Sequence, residues 1–282
     1  MQTITSIQAL RSCIRQWRPT GHSIAFVPTM GNLHAGHIQL LTTARQKADK
    51  VVVSIFVNPA QFGLNEDYAS YPRTEKQDQA ILQEYGADVL FLPSEAEMYP
   101  QPPKTGISVK ELSTMYCGAS RKGHFDGVAL VVCKLLNMVQ PDLLLLGEKD
   151  FQQLLLIRRM IADLNIPVEI HGVATVREAD GLAMSSRNSY LTPAQRILAP
   201  KLFEALCKVR DLILSGNRDY DNILKTQINA LQQIGFSVDY FQVCNRTDLL
   251  PASEDDNHLV LLIAAKLGAT RLIDNLALQT NV

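Results

Sequence analysis

Two histidines three residues apart, His34 and His37, stand in a segment whose residue types suit an anion. It reads Phe26-Val27-Pro28-Thr29-Met30-Gly31-Asn32-Leu33-His34-Ala35-Gly36-His37. Gly31 permits a tight turn, and Gly36 lets a phosphate approach the backbone closely. The helix that follows offers unpaired N–H groups and the positive end of its dipole. Both imidazoles can face one ligand there and donate hydrogen bonds to phosphate oxygens as charge develops in a transition state. The blander alternatives are a decorated helix start and a metal site. Two histidines without a nearby third ligand are weak for zinc, so no metal-ligating residue is assigned.

Four further segments carry groups of the same kind. Asn58-Pro59-Ala60-Gln61-Phe62-Gly63 holds two amides, Asn58 and Gln61, that can bind neutral or acidic polar groups. Gly147-Glu148-Lys149-Asp150-Phe151-Gln152-Gln153 supplies a point charge for phosphate at Lys149. Asp150 suits either a helix cap or a ribose hydroxyl pair, and Gln153 lies one turn further in. Met184-Ser185-Ser186-Arg187-Asn188 combines hydroxyls with a guanidinium, a good set for triphosphate oxygens, and Gly181 upstream leaves that loop free to move. Gly123-His124-Phe125-Asp126-Gly127 either binds an anion or caps a helix, and His124 is kept off the catalytic set.

The elements that must position these groups alternate. Strands are expected at Ile24–Val27, Val51–Val57, Val89–Leu92 and Val168–Val176, while Leu143–Leu146 is strand-like but Leu-rich, and periodicity alone does not settle it. Helices are expected at His37–Lys47, Thr74–Tyr85, Gly127–Val139 and Asp150–Leu164. Val51–Val57 is rich in β-branched and apolar residues and shows no polar alternation, the mark of a strand buried on both faces. Strands alternating with helices predict a Rossmann-like, doubly wound parallel α/β sheet, whose ligands bind at the carboxyl ends of the strands. The first four segments above each follow a strand or lie just beyond the last. After Val176 the pattern changes. A long helix is expected from Thr192-Pro193 to about Leu214 and a second over Asp221–Ile234. Strands follow at Ser237–Cys244, Leu259–Ala265 and Thr270–Asp274, with antiparallel pairing. The domains are therefore drawn as 1–176, a nucleotide-type α/β domain, and 177–282, a smaller α+β domain.

Composition sets the outer bounds. The 282 residues are 46% hydrophobic and 20% charged, which excludes general disorder. Lys and Arg number 27 against 28 Asp and Glu, so the chain lacks the basic excess of a nucleic-acid-coating protein. Its apolar runs are strand-sized, well under the roughly 18 residues of a membrane span. Met1–Trp17 does not read as a signal peptide. The five cysteines form no CxxC pair, and a reduced, cytoplasmic protein is expected. Cys133 and Cys207 fall in helical apolar patterns and are expected to be buried.

Taken in order, Pro-Thr-Met-Gly-Asn-Leu-His-Ala-Gly-His, Asn-Pro-Ala-Gln-Phe, Gly-Glu-Lys-Asp-Phe-Gln-Gln and Met-Ser-Ser-Arg-Asn resemble the pantothenate synthetase (pantoate–β-alanine ligase) family. The resemblance covers essentially the whole chain, including Tyr71-Pro72-Arg73-Thr74 and the Gly123–Gly127 segment. The HxGH element alone indicates only the wider nucleotidyltransferase superfamily. Ala60 departs from the family, which often carries Thr there. The resemblance implies an ATP-dependent ligase that forms pantoyl adenylate and then pantothenate. It places Met30, Gly31, Asn32, Leu33, His34, Ala35, Gly36 and His37 on ATP, with His37 the leading catalytic histidine. It also places Gly147, Glu148, Lys149 and Asp150 on ATP, Val176 against the nucleotide, and Met184, Ser185, Ser186 and Arg187 over the triphosphate. Lys149, Ser185 and Arg187 join the histidines as catalytic candidates. Gln61 and Gln153 are to hold pantoate, with Asn58 beside them. Mg²⁺ is expected with the triphosphate, a homodimer as the assembly, and a second domain acting as a lid. The competing readings are a nucleotidyltransferase acting on a phosphorylated alcohol and a non-catalytic nucleotide-binding module.

Overall fold

A run such as Val51, Val52, Val53, Ser54 and Ile55 has no polar face to give to water, and the fold covers both of its sides. The computed structural model describes residues 1–64 and 66–280. In chain order the first part comprises β1 (Gln2–Ile4), α1 (Ile7–Trp17), β2 (Ile24–Thr29), α2 (Ala35–Lys47), β3 (Lys50–Ile55), α3 (Glu75–Glu84) and β4 (Val89–Phe91). Two short helices, α4 (Glu95–Met98) and α5 (Cys117–Ser120), lead to α6 (His124–Val139), β5 (Leu143–Gly147), α7 (Phe151–Asp163) and β6 (Glu169–Val173). The six strands form one parallel sheet in the order β1-β4-β3-β2-β5-β6.

That order is the doubly wound arrangement expected from the alternating pattern. Strands β3 and β4 run outward from β2 on one side, and β5 and β6 on the other. The direction of winding reverses between β2 and β5, which pair at Ala25 with Leu143 and Phe26 with Leu144. The turns leaving those two strands therefore flank the switch point where open α/β sheets bind ligands. One core lies where α2 packs on the sheet, with Val27, Leu41, Ala44, Val53, Leu90 and Leu145 buried together. Helix α6 starts three residues before the expected Gly127, because Gly123 at φ +79 supplies the left-handed turn that admits His124 to the first turn.

The last part carries α8 (Pro193–Leu198), α9 (Lys201–Leu214), α10 (Tyr220–Gln233), β7 (Phe236–Asn245), β8 (His258–Leu267) and β9 (Thr270–Gln279). The strands form an antiparallel sheet, β7-β8-β9, with a bulge between Val238 and Tyr240. Thr192 opens α8 with a capping box closed by Gln195. The single long helix expected from there to Leu214 is two helices instead. Pro200 has no N–H to continue the ladder, so α8 ends before it and α9 begins after it. A second core forms here from Leu206, Val209, Phe241, Leu261, Ile263 and Leu272.

The chain forms two compact units: Met1–Glu148 with Leu156–Ala174, and Lys149–Leu155 with everything from Thr175 on. All five cysteines are free thiols. Cys13, Cys117 and Cys244 are the buried ones. Cys133 and Cys207, expected inside, are only half-buried, since each lies at the margin of its helix's apolar face. No helix among the described residues is long and apolar enough to cross a membrane.

Candidate active site

The turn after β2 is set by its own hydroxyl. Thr29 donates to the Ser54 carbonyl at 2.9 Å and accepts from the Gly31 N–H at 3.2 Å. Gly31 (φ +81) and Asn32 (φ +50) then reverse the chain in the left-handed region. A carboxylate not anticipated from the sequence holds the reversal. Asp78, in α3 and 1% exposed, accepts from the Asn32 N–H and the Leu33 N–H, both at 2.9 Å, and from the Thr74 hydroxyl at 3.1 Å. A Cβ on Gly31 would come within 3.0 Å of that carboxylate.

The two histidines cap α2. His34 Nδ1 accepts from the Gly36 N–H at 3.1 Å, and His37 Nδ1 accepts from the His34 N–H at 3.3 Å. Their rings stand 4.1 Å apart. An imidazole nitrogen that accepts carries no proton, so in both rings the proton of the neutral form sits on Nε2. The cap therefore fixes the tautomer and turns both Nε2–H groups into donors, at a helix end where the dipole favours an anion.

Asn58 caps the 3₁₀ turn Pro59–Gln61 after β3, Gln61 ends it, and both are buried. The Asn58 amide is consumed internally. Its Oδ1 accepts from the Tyr99 hydroxyl at 2.9 Å and from the Ala60 N–H at 3.3 Å. Its Nδ2 donates to the Gly127 carbonyl and to Gln61 Oε1, each at 3.1 Å. Burial, with the nearby charge of Glu95, pushes the Tyr99 phenol up to about 12, so it remains a donor. That polarity passes along the chain: Tyr99 donates to Asn58, Asn58 donates to Gln61, and the Gln61 NH₂ is the donor at the end of the relay. It donates to Met30 Sδ at 3.1 Å, beside the turn after β2. Asn58 thus aims Gln61.

The chain just past this turn is bound to the segment leading into α6. Arg121 grips Glu66 through Nε (2.7 Å) and Nη2 (2.6 Å). Burial would raise the Glu66 carboxyl, but hydrogen bonds and charge from Arg121, with a Gly63 backbone hydrogen bond, hold it at about 2 against an ordinary 4.5. A depressed carboxylate adds stability that is present above its unfolded value and is lost as pH falls through its folded one. The contribution should be complete above about pH 4.5 and fade on the way to about pH 2. Thermal melts of the wild-type and Glu66→Gln proteins check this. Their Tm difference should shrink across that window, and a constant difference would exclude the clamp as its source.

In the second unit, Lys149 and Asp150 end a 3₁₀ turn, Glu148–Asp150, entering α7, with Gly147 closing β5 before it. Lys149 Nζ lies 4.0 Å from Asp150 Oδ2, and the Lys149 carbonyl accepts from Asn275 Nδ2 at 2.8 Å. Gln153 is half-buried on α7, as are Val176 and Met184 through Arg187 in their loop. That loop is closed by its own hydrogen bonds. The Met184 N–H donates to the Val176 carbonyl at 3.0 Å, and Ser185 Oγ accepts from the Arg187 N–H at 3.2 Å. Arg177 donates to the Gly181 carbonyl and forms a two-pronged pair with Asp274, at 2.7 and 3.0 Å. Burial pushes the Asp274 carboxyl up, while Arg177 opposes it. Gly181 stands at φ +91 where a Cβ would meet the Phe203 ring at 2.8 Å, so only glycine fits this turn. Asp274 and Asn275, in β9, are site-supporting residues the sequence reading missed, and only their adjacency in a strand carried any signal.

Among the described residues, no group of three or more His, Cys, Asp or Glu side chains is placed to hold a metal ion. The first unit thus offers neutral donors at a helix end and an aimed amide; the second offers a lysine, hydroxyls and a guanidinium. Such groups can bind and polarise phosphate and carboxylate oxygens without a protein-held metal.

Comparison with known proteins agrees with this chemistry. Residues 2–277 match the family described as Pantoate-beta-alanine ligase. Among curated relatives, the pantothenate synthetase of Alcanivorax borkumensis is 53% identical over 279 residues, covering 99% of this chain and 98% of the relative. That of Shewanella loihica is 52% identical, covering 99% of each. Of solved structures, pantothenate synthetase from Thermus thermophilus superposes with a TM-score of 0.92 at 44% identity, covering 98% of this chain and 99% of that one. A pantoate-beta-alanine ligase from Francisella tularensis, complexed with beta-gamma ATP and beta-alanine, gives 0.84 at 36% identity, covering 98% and 97%. With its doubly wound sheet, its capped histidine pair and these full-length matches, the chain belongs to the pantoate–β-alanine ligase family.

Proposed function

We propose that this ligase joins pantoate to β-alanine in two steps. In the first, a pantoate carboxylate oxygen attacks the α-phosphorus of ATP, and pyrophosphate leaves. In the second, the amine of β-alanine attacks the acyl carbon of pantoyl adenylate, AMP leaves, and pantothenate forms after loss of a proton. A carboxylate is a poor electrophile until its oxygen belongs to a good leaving group, and adenylation supplies one. The protein must hold two anions close together and stabilise charge on the departing pyrophosphate.

The observation that carries this reading is the capping of α2 by two imidazoles whose Nδ1 atoms are committed to backbone N–H groups. Their Nε2–H groups are hydrogen-bond donors for phosphate oxygens. His37 is the leading catalytic residue, with His34 beside it and Met30 through Gly36 lining the nucleotide. Lys149 neutralises phosphate charge, and Ser185, Ser186 and Arg187 take triphosphate oxygens. Asp150 serves the ribose, with Gly147 and Glu148 beside it and Val176 against the nucleotide. Gln61 and Gln153 hold pantoate, and Asn58 contributes by aiming Gln61. The described residues form no protein-only cage, which fits Mg²⁺ entering with the nucleotide, held by its phosphates and water. Bound there, it supplies neutralisation of the phosphate charge. A homodimer, the commonest soluble assembly, is the proposed state, and the free thiols suit the cytoplasm.

Release of pyrophosphate and AMP tests the reading, with pantoate and β-alanine added separately and together. Pyrophosphate should require pantoate, and AMP with pantothenate should follow only when β-alanine is present. Activity with neither compound, and turnover with a phosphorylated alcohol, would replace the substrate assignment.

A further inference from the structure

His124 belongs to a motif that the proposed chemistry leaves without a role. It is the first residue of α6, and its ring bridges two partners. Nε2 lies 2.8 Å from Arg121 Nη1, and Nδ1 lies 2.8 Å from the Gln61 carbonyl oxygen. A guanidinium only donates, so Nε2 must accept. The carbonyl only accepts, so Nδ1 must donate. Both contacts are satisfied together only by a neutral imidazole with its proton on Nδ1, the less common tautomer of free histidine. Arg121 is itself held in place by the two-pronged pair with Glu66, and its Nη2 also reaches the Gln61 carbonyl at 3.4 Å. A third tie comes from Gly127, where a Cβ would stand 2.1 Å from the Ala60 carbonyl oxygen. The Pro59–Gln61 turn is thus pressed flush on the first turn of α6, with the Gln61 peptide tied by a ring nitrogen.

We infer that His124 is a positioning residue for pantoate: as the Nδ1–H tautomer it fixes the Gln61 peptide, and with it the direction in which the Gln61 amide donates. This rests on the assignment of Gln61 to pantoate. The charged groups facing the ring are Arg121 and Glu66, and Glu66 is engaged by Arg121. His124 touches no substrate in this scheme and acts through Gln61.

Two substitutions separate the ring's two contacts. Asparagine places an amide nitrogen near the position of Nδ1 and keeps the bond to Gln61. Glutamine places its amide near the position of Nε2 and loses that bond. His124→Gln and His124→Ala should raise the KM for pantoate about tenfold, the loss of one hydrogen bond's aim, with the KM for ATP unchanged. His124→Asn should restore most of the loss. The side-chain ¹⁵N spectrum of the wild-type enzyme should show His124 protonated on Nδ1. A proton on Nε2, or unchanged pantoate KM in His124→Gln and His124→Ala, would overturn the inference even if a variant folds poorly. Gln61→Ala run in parallel separates the two assignments. If it raises the pantoate KM and the His124 variants do not, the positioning role falls alone. If it does not, the assignment of Gln61 falls first.

Discussion

Replacing His37 with alanine is expected to lower kcat for pantoate-dependent pyrophosphate release by about 10²–10³, the usual loss when one transition-state donor is removed. The substitution also deletes a cap, because His37 Nδ1 accepts the His34 N–H. Loss of a cap destabilises a helix by about 1 kcal/mol, too little to account for the rate. Two further variants divide the effects. His37→Asn can still accept the His34 N–H through its amide oxygen but has nothing at the position of Nε2. It should melt near the wild-type temperature and turn over as slowly as the alanine variant. His37→Gln places an amide N–H near Nε2 and should recover part of the rate. Wild-type turnover in His37→Asn would remove the imidazole from the transition state and leave it only a structural role.

The second large effect is on folding. Asp274→Ala should destabilise the protein by about 3–5 kcal/mol, measured by urea denaturation, because it strands the Arg177 guanidinium. Asp274 is 4% exposed and meets two guanidinium nitrogens, so the pair is fully formed. Removing one partner leaves a largely buried guanidinium with no counter-ion, and the loss exceeds what the pair itself contributes. Asp274→Asn keeps the shape and one acceptor, and it should fall between wild type and alanine. Arg177 also stacks on Phe203 at 3.6 Å and holds the Gly181 carbonyl, so the loop from Val176 to Arg187 should loosen along with it. Proteolysis near Gly181 should therefore speed up in Asp274→Ala. A loss under about 1 kcal/mol in the alanine variant, the range of an exposed pair, would mean that water reaches Arg177 freely.

The sheet was legible because burial on both faces writes itself into composition: Val51–Ile55 has no polar alternation to misread, whereas the Leu-rich run Leu143–Leu146 left strand and helix unseparated by period alone. The four motifs were legible because each is continuous in the chain and follows or adjoins a strand end. What escaped is long-range. Asp78 lies 46 residues from Asn32, and Arg177 lies 97 from Asp274. An aspartate in the first turn of a helix is ordinary, and nothing local distinguishes one that caps from one that clamps a distant turn. Asn58 was read as a substrate amide because its residue type suits one; only its four partners show it turned inward. The break at Pro200 was in plain view, but the apolar spacing on either side of it runs in phase and masked it. Strand β1 is only three residues long, too short for any period to register.

The clamp formed by Asp78 changes when the turn after β2 becomes ordered. A glycine-containing turn with unpaired N–H groups would ordinarily wait for a phosphate to order it, and fixing each residue then would oppose binding by about 1–2 kcal/mol of entropy. Here an internal carboxylate already occupies the place of an anion at Asn32 and Leu33. The ordering is completed when the polypeptide folds, before any ligand arrives. Affinity for an anion at that helix end is then not diminished by freezing that turn, and the imidazoles beyond it are already held in register.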